Sequence, residues 1–302
     1  MSRRFAVLDV FTSRPLSGNG LAVVRDCDGL DTAAMQAIAR AFCLSETVFL
    51  CPPEGPAHSA RARIFTPARE LPFAGHPTVG AAVLVALDRF GAGGAGQEAV
   101  VVLEETVGAV RCGVRLGGPR TGYAAFDLPR GVEAVPFAAD RAQIAAALGL
   151  GLHEIGFENH VPCAFTAGVP YVFVPVAGLA AAGRAAPVAQ HWPAAFAEAA
   201  GSVFVYCRES VGAGVQFHAR MFAPELGIVE DPATGSAVSA FAAVVHRFDR
   251  PVEGVTQVMV EQGLEMLRPS RIRLEIEVAG GRLARVRIGG DAVVVQEGEL
   301  FV

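Results

Sequence analysis

The sequence predicts an α+β protein of two pseudo-symmetric domains, each a β-sheet or barrel wrapped around a central hydrophobic α-helix. Two observations predict this fold: one segment occurs twice in the chain, and each copy contains a helical run that is apolar on every face. A helix without a polar face has to be buried all round. The other segments are mainly short runs of strand composition, about six in each half, which suffice to wrap a sheet around one helix.

The internal repeat pairs residues 62–90 with residues 219–248. Both copies begin with Ala-Arg, an apolar residue, Phe, a small residue and Pro. Each copy then passes through a polar loop to a glycine and ends at a phenylalanine. Agreement in order and spacing is the signature of a duplicated unit. The repeat predicts central helices over residues 76–90 and 236–248.

The similarity continues upstream, where a helix leads into a strand in each half. Asp31 is expected to cap the first of these helices, and the second is expected over residues 192–200. We predict an N-terminal domain of residues 1–119 and a C-terminal domain of residues 120–302. The domains would be joined near a Gly-Gly-Pro turn, and the last strand could pack back on the first domain.

Composition narrows the class of function. The chain has 302 residues and a net charge of −5, without a cluster of arginines that would indicate a nucleic-acid partner. Its apolar runs are far shorter than the ~20 residues that span a bilayer. The six cysteines are scattered without metal-ligand spacing, which favours reduced thiols buried as small hydrophobic side chains. A cytoplasmic enzyme acting on a small molecule is the expectation.

The chain contains no lysine, and all 25 of its Lys/Arg residues are arginine. Pyridoxal-phosphate enzymes need a lysine for their Schiff base, and P-loop proteins need one for their phosphates. The sequence therefore excludes both classes. Any proton chemistry is expected to proceed without the electron sink that pyridoxal phosphate provides.

Each central helix is predicted to begin in a loop of small residues, at Ala74-Gly75 and at Thr234-Gly235. The first N–H groups of a helix have no partner within the helix, and they attract anions together with the helix dipole. If the halves face each other, both helix starts could converge on one ligand. A small carboxylate is the predicted ligand.

Ionisable residues cluster around these starts, namely Glu46, Glu70, His76 and Asp231. Each residue also has an ordinary interpretation when taken alone. Asp231 could be a helix cap, His76 a structural loop residue and Glu46 a turn residue. Residue type and spacing leave both interpretations open.

Four segments resemble signature blocks of the PhzF-like family of phenazine biosynthesis. They are LSETVFL (44–50), FTPARELPFAGHPTVGAA (65–82), FAPELGIVEDPATGSA (222–237) and VEQGLEMLRPSRI (260–272). Residues 8–24 and 289–300 are similar to the family too, so the resemblance spans nearly the whole chain. It implies a diaminopimelate-epimerase-like fold, a homodimer and catalysis without a cofactor or metal.

The resemblance also implies site residues. It gives the role of acid/base to Glu46, with His76 and Asp231 as further catalytic residues. It implies substrate binding by Asn19, Ser45, Gly75, Thr234, Gly235 and Ser236.

Two positions depart from the family pattern. Asn19 is followed by Gly20 where the family usually has proline, which would make this loop more mobile. Thiol epimerases of this fold carry a cysteine at each helix start, whereas this chain has Ala74-Gly75 and Pro232-Ala233 there. A two-thiol mechanism is therefore disfavoured.

The resemblance implies an isomerase that carries out an allylic hydrogen shift on an amino-acid-like or dihydroanthranilate-like carboxylate. Glu46 would remove and return the proton, and burial beside Leu44, Val48 and Phe49 is expected to raise the pKa of its carboxyl. One alternative is a non-thiol epimerase that uses Glu46 and Asp231. Others are a catalytically inactive small-molecule binding protein and a structural component of a dimer.

Overall fold

The computed structural model describes residues 2–197 and 201–302 and divides the chain into two compact units. The first unit is Met1–Pro129 with Gly289–Val302, and the second is Arg130–Ile288. None of the helices within these described residues is long and apolar enough to span a membrane.

The first unit contains eight strands and two α-helices of its own. They are β1 (Ser2–Val10), β2 (Asn19–Val24), α1 (Thr32–Phe42), β3 (Glu46–Cys51), β4 (Ala60–Phe65), β5 (Glu70–Leu71), α2 (Gly75–Phe90), β6 (Glu98–Glu105), β7 (Gly108–Gly118) and β8 (Thr121–Asp127).

The described residues of the second unit form four α-helices and the remaining strands, the last of which the two units share. They are β9 (Glu133–Val135), α3 (Arg141–Leu148), β10 (Cys163–Thr166), β11 (Pro170–Pro175), α4 (Leu179–Arg184), α5 (Trp192–Phe196), β12 (Val203–Cys207), β13 (Phe217–Ala223), β14 (Ile228–Asp231), α6 (Gly235–Phe248), β15 (Gly254–Gln262), β16 (Ser270–Ala279) and β17 (Arg282–Phe301). The unit boundary falls inside β17, whose residues from Gly289 onward belong to the first unit.

The first unit is a closed barrel around α2. Its strands pair in the order β1, β2, β3, β4, β6, β7, β8 and the end of β17, which returns to β1. Closure leaves the barrel without exposed strand edges. Every residue of α2 from Gly75 to Leu84 is buried, as expected for a helix that is apolar all round.

The second unit repeats this pairing pattern around α6. Strands β10 to β13 follow the directions of β1 to β4, including the parallel step between β11 and β12. The parallel pairing of β13 with β15 matches that of β4 with β6. Residues 237–242 of α6 are buried, and α6 packs against β10, β11 and β16. The α+β fold class is confirmed.

Three details differ from the sequence interpretation. The units divide at residues 129/130 rather than 119/120, because the turn after Gly118 closes a hairpin in which β8 pairs with β7. The helix expected over 192–200 ends at Phe196 as α5, and residues 198–200 lie outside the described part of the chain. Cys43 is exposed, because it follows the last turn of α1 in the left-handed conformation; the other five cysteines are buried.

Gly80 of α2 provides a test of the helix-in-barrel packing. A Cβ there would lie 2.5 Å from Leu21 Cδ2 and 2.9 Å from Val10 Cγ2. We expect Gly80→Ala to lower the free energy of unfolding by about 1–3 kcal/mol through overpacking, although alanine favours helices by about 1 kcal/mol. Denaturant unfolding measures the change.

Gly183 of α4 is the matched control, because a Cβ there meets no atom within 4 Å. Gly183→Ala should leave stability unchanged or raise it by up to about 1 kcal/mol. Equal stability of Gly80→Ala and the unchanged protein would show that the barrel does not enclose α2 tightly.

Candidate active site

The first candidate cluster lies where β3 and α2 both begin. Glu46 is the first residue of β3, and its register with Leu21 of β2 fixes its place in the barrel. His76 is the second residue of α2. Their side chains meet with Glu46 Oε2 3.3 Å from His76 Nε2, and they are 16% and 6% exposed respectively. The structure therefore brings together two of the three predicted catalytic residues.

His76 is an uncharged imidazole in this setting. Burial lowers the pKa of His76 to about 3, far below its ordinary value of 6.5. A neutral imidazole has one nitrogen that donates and one that accepts. The 3.3 Å contact with Glu46 is longer than a charge-assisted hydrogen bond, as is common in catalytic sites without a substrate.

The start of α2 supplies backbone N–H groups to the first candidate cluster. Its N-cap residue, Ala74, is extended and makes no side-chain cap hydrogen bond with any described residue. Gly75 and His76 follow, both buried, in the turn where N–H groups have no partner within the helix. Such a start favours a bound anion.

The second candidate cluster lies at the start of α6, in the second unit. Asp231, the last residue of β14, is 6% exposed and accepts a hydrogen bond from the Thr234 hydroxyl. Thr234 is the N-cap position, and its backbone N–H donates to Gln262 Oε1 at 3.1 Å. The predicted residues Asp231, Thr234 and Gly235 thus form one buried turn in the second unit.

Ser236 follows Gly235 in the first turn of α6 and is half-buried. Its Oγ lies 2.7 Å from the hydroxyl of Tyr171, a buried residue of β11. Tyr171 cannot be predicted from the sequence as a site residue, because one tyrosine within an apolar strand gives no signal of its own. Its hydroxyl fixes the orientation of the Ser236 side chain.

Three further candidates have different surroundings. Asn19 is buried at the first position of β2, opposite Val10, and Ser45 is half-buried directly before Glu46. Glu70 is held by Arg63, whose Nε and Nη2 each lie 2.7 Å from one of its carboxylate oxygens. Glu70 therefore forms an ion pair that links β5 to β4.

Across residues 2–197 and 201–302, no three His, Cys, Asp or Glu side chains are grouped as metal ligands. The candidate chemistry is that of carboxyl, imidazole and hydroxyl groups beside two helix starts.

Comparison with known proteins agrees with this architecture. Residues 8–298 match the family described as phenazine biosynthesis-like protein. An uncharacterised isomerase of Mesorhizobium japonicum is 54% identical over 306 aligned positions, covering 100% of this chain and 99% of the relative. Trans-2,3-dihydro-3-hydroxyanthranilate isomerase of Pseudomonas aeruginosa is 33% identical and is covered over 99% of both chains.

Solved structures share the fold. The phenazine biosynthesis protein of the PhzF family from Bacillus anthracis superposes with a TM-score of 0.88 at 24% identity, covering 100% of both chains. A hydroxyproline epimerase from Agrobacterium vitis has a TM-score of 0.63 at 13% identity, covering 99% of this chain and 92% of that one. The chain therefore belongs to the PhzF-like family of phenazine biosynthesis-like proteins and is an isomerase with a diaminopimelate-epimerase-like fold.

Proposed function

We propose that this isomerase moves a proton within a small carboxylate-bearing substrate of the dihydro-hydroxyanthranilate class, with Glu46 as the acid/base. The contact of Glu46 with a neutral, buried His76 is the observation that carries the proposal. The substrate class is supported by the relatives named trans-2,3-dihydro-3-hydroxyanthranilate isomerase.

In the proposed reaction the Glu46 carboxylate removes a proton from one carbon of the substrate. The electron pair of that C–H bond forms a new double bond to the neighbouring carbon, and the electron pair of the original double bond moves to a second carbon, which takes up the proton from the Glu46 carboxylic acid. One C–H bond is broken and one is formed, so the reaction needs no oxidant or reductant. Positioned acid/base groups contribute about 10²–10⁴-fold to such steps.

His76 would assist because its ring stays neutral. The tautomer with the proton on Nε2 can donate to the Glu46 carboxylate, and the tautomer with the proton on Nδ1 can accept from the Glu46 acid, so the ring stays neutral in both states of the shuttle. A permanent imidazolium would stabilise the carboxylate and lower its basicity.

In the first unit, N–H groups at the start of α2 would attract the substrate carboxylate. The roles that the family resemblance implies for Asp231 (catalytic) and Ser236 (substrate-binding, with its hydroxyl oriented by Tyr171) stay proposals. The homodimer and the cytoplasmic location that the family resemblance implies stay predictions.

A non-thiol epimerase is the second candidate function. Asp231 is a buried carboxyl group at the start of α6, so the chain carries a second acid/base group. An epimerase would invert one stereocentre, whereas the proposed isomerase relocates a double bond. Product stereochemistry separates the two.

Replacement of Glu46 tests the proposed role. Glu46→Gln should retain ligand binding and lower proton exchange by about 10²–10⁴-fold, because an amide cannot carry the proton. Mass spectrometry of deuterium uptake from D2O into trans-2,3-dihydro-3-hydroxyanthranilate measures the exchange.

Glu54→Gln is the matched control, since the Glu54 side chain is 76% exposed and pairs with Arg61 at the surface. The control should exchange at the unchanged rate. Undiminished exchange in Glu46→Gln would remove Glu46 from the role, and binding without exchange in the unmodified protein would favour an inactive binding protein.

The charge of His76 can be compared with that of His218, another buried histidine. Burial lowers the pKa of His218, but its hydrogen bonds with Glu261 and Glu265 outweigh this effect and raise the pKa to about 9. Between about pH 5 and pH 8 we therefore expect His76 to stay neutral and His218 to stay charged. Nitrogen-15 NMR of the imidazole rings distinguishes the two states.

His76 should also contribute to stability with a defined sign. Its folded pKa lies below its unfolded value, so its contribution is complete above about pH 6.5 and is lost as the pH falls towards about 3. An imidazolium signal from His76 at neutral pH would contradict the proposed proton chemistry.

A further inference from the structure

Glu105, the last residue of β6, is a carboxyl group buried inside the first unit. The residue is 8% exposed, and its Oε2 has no hydrogen-bond partner among the described residues. An ionised carboxylate is very unfavourable in such a place. Burial raises the pKa of Glu105 to about 8, although its hydrogen bond with Thr78 acts in the opposite direction.

The surroundings of Thr78 also indicate a proton on Glu105. Thr78 Oγ1 lies 2.7 Å from the carbonyl oxygen of Ala74 and 2.7 Å from Glu105 Oε1. The hydroxyl has one hydrogen, and a carbonyl can only accept. When that hydrogen is donated to Ala74, the short contact with Glu105 is satisfied by a hydrogen on the carboxyl group. Ala74 is the N-cap of α2, so this chain of contacts ends at the turn that carries Gly75 and His76.

The second unit holds the start of its helix in a comparable way. β4 pairs with β6 in the register Arg61–Glu104, and β13 pairs with β15 in the register His218–Glu261. Glu104 and Glu261 also share their contacts, because each accepts two backbone N–H groups of a nearby loop. The residue that follows each glutamate therefore occupies the same place in its own unit.

Those two residues are Glu105 and Gln262. Gln262 Nε2 donates to the Asp231 carbonyl at 2.7 Å and contacts Thr234 Oγ1 at 3.0 Å, and its Oε1 accepts from the Thr234 N–H. Thr234 is the N-cap of α6, as Ala74 is of α2. A carboxylic acid has nearly the shape of an amide and likewise carries both a donor and an acceptor. The duplicated fold therefore uses a neutral group at this position twice.

We propose that Glu105 acts as an uncharged carboxylic acid that positions the first turn of α2, and that its ionisation releases this turn and switches the site off. An ionised Glu105 can only accept, so it draws the Thr78 hydrogen away from the Ala74 carbonyl. It also places a negative charge beside the helix start that favours an anion. Both effects weaken the binding of a substrate carboxylate.

The titratable groups near Glu105 on α2, on β7 and at the end of β6 are not expected to change their charge near pH 8. On α2, His76 stays neutral because burial lowers its pKa. On β7, burial and the proximity of Glu105 raise the pKa of the Cys112 thiol, which stays protonated. Hydrogen bonds from the N–H groups of residues 54–55 lower the pKa of Glu104 to about 2. Its carboxylate therefore stays charged near neutral pH, and it contacts the loop of residues 54–55.

Infrared spectroscopy of the full chain in D2O tests the charge state directly. At neutral pH a carboxylic-acid C=O band should be present, should disappear with a midpoint near pH 8, and should be absent from Glu105→Gln. A band that is missing at neutral pH, or that Glu105→Gln retains, would overturn the proposal. Glu105→Gln should fold, because an amide replaces the neutral acid, so failure to fold would also count against it.

Melting temperatures give a second test, because replacing Glu105 and replacing Glu104 should change the pH dependence of stability in opposite directions. The folded pKa of Glu105 lies above its unfolded value of 4.5, so its stabilising contribution is lost as the pH rises towards about 8. The melting temperature of Glu105→Gln should therefore rise relative to the unchanged protein over this range and level off above it.

Glu104→Gln should show the opposite pH dependence, because the folded pKa of Glu104 is lowered. Its melting temperature should lie below that of the unchanged protein by a constant amount above about pH 4.5, and this difference should disappear towards about pH 2. Gln262→Glu should gain a pH dependence like that of Glu105, because its acid must also be protonated to donate. The same sign of pH dependence for Glu105→Gln and Glu104→Gln would overturn the proposal.

The rate measurement rests on the proposed function. Above about pH 8, kcat/KM of the unchanged protein should fall about tenfold per pH unit, and Glu105→Gln should lose this decline. An identical alkaline decline in both proteins would overturn the switch. If the infrared and melting results hold but no substrate exchanges a proton, the proposed function fails while the charge state assigned to Glu105 stands.

Discussion

The chemistry proposed for this protein depends on one constraint: a carboxyl group lies against a buried imidazole. Glu46 and His76 meet at 3.3 Å, and burial holds the His76 ring neutral. A carboxylate beside a fixed positive charge would be a weak base, whereas one beside a neutral partner keeps its basicity. Desolvation of the histidine is therefore the physical condition for a glutamate that both removes and returns a proton.

The fold supplies that desolvation through an unusual placement of the central helices. A helix enclosed by a barrel can have no polar face, and α2 accordingly buries every residue from Gly75 to Leu84. Only the ends of such a helix can carry chemistry, which is why His76 lies in the first turn. Close packing fixes this end in space, because Gly80 leaves no room for a larger side chain beside β1 and β2.

Much of this arrangement could be predicted from the amino-acid sequence. The two apolar runs predicted the central helices to within one residue of their starts, because a helix that is apolar all round must be buried and both runs begin directly after a glycine. The repeat indicated the matching topology of the two units. The resemblance named Glu46 and His76, and their contact agrees with that pairing.

Other features could not be predicted from the local sequence. The Gly-Gly-Pro turn near residue 118 looked like a linker and closes a hairpin instead, because turn residues do not reveal whether the following strand pairs backwards. The two-residue strand β5 is too short for a periodic pattern. Tyr171 acquires its role only through a contact with Ser236, 65 positions away. The sequence did not distinguish Glu70 from Glu46 as a candidate acid/base. In the structure Arg63 forms an ion pair with Glu70, which therefore has a structural partner.

The most direct test of the central claim is neutron diffraction from D2O-exchanged crystals near neutral pH. It locates the deuterons on the imidazole of residue 76 and the carboxyl of residue 46. The account predicts one deuteron on the ring, on a single nitrogen. Deuterons on both ring nitrogens would reveal an imidazolium–carboxylate pair and contradict the neutral partner on which the proposed catalysis depends.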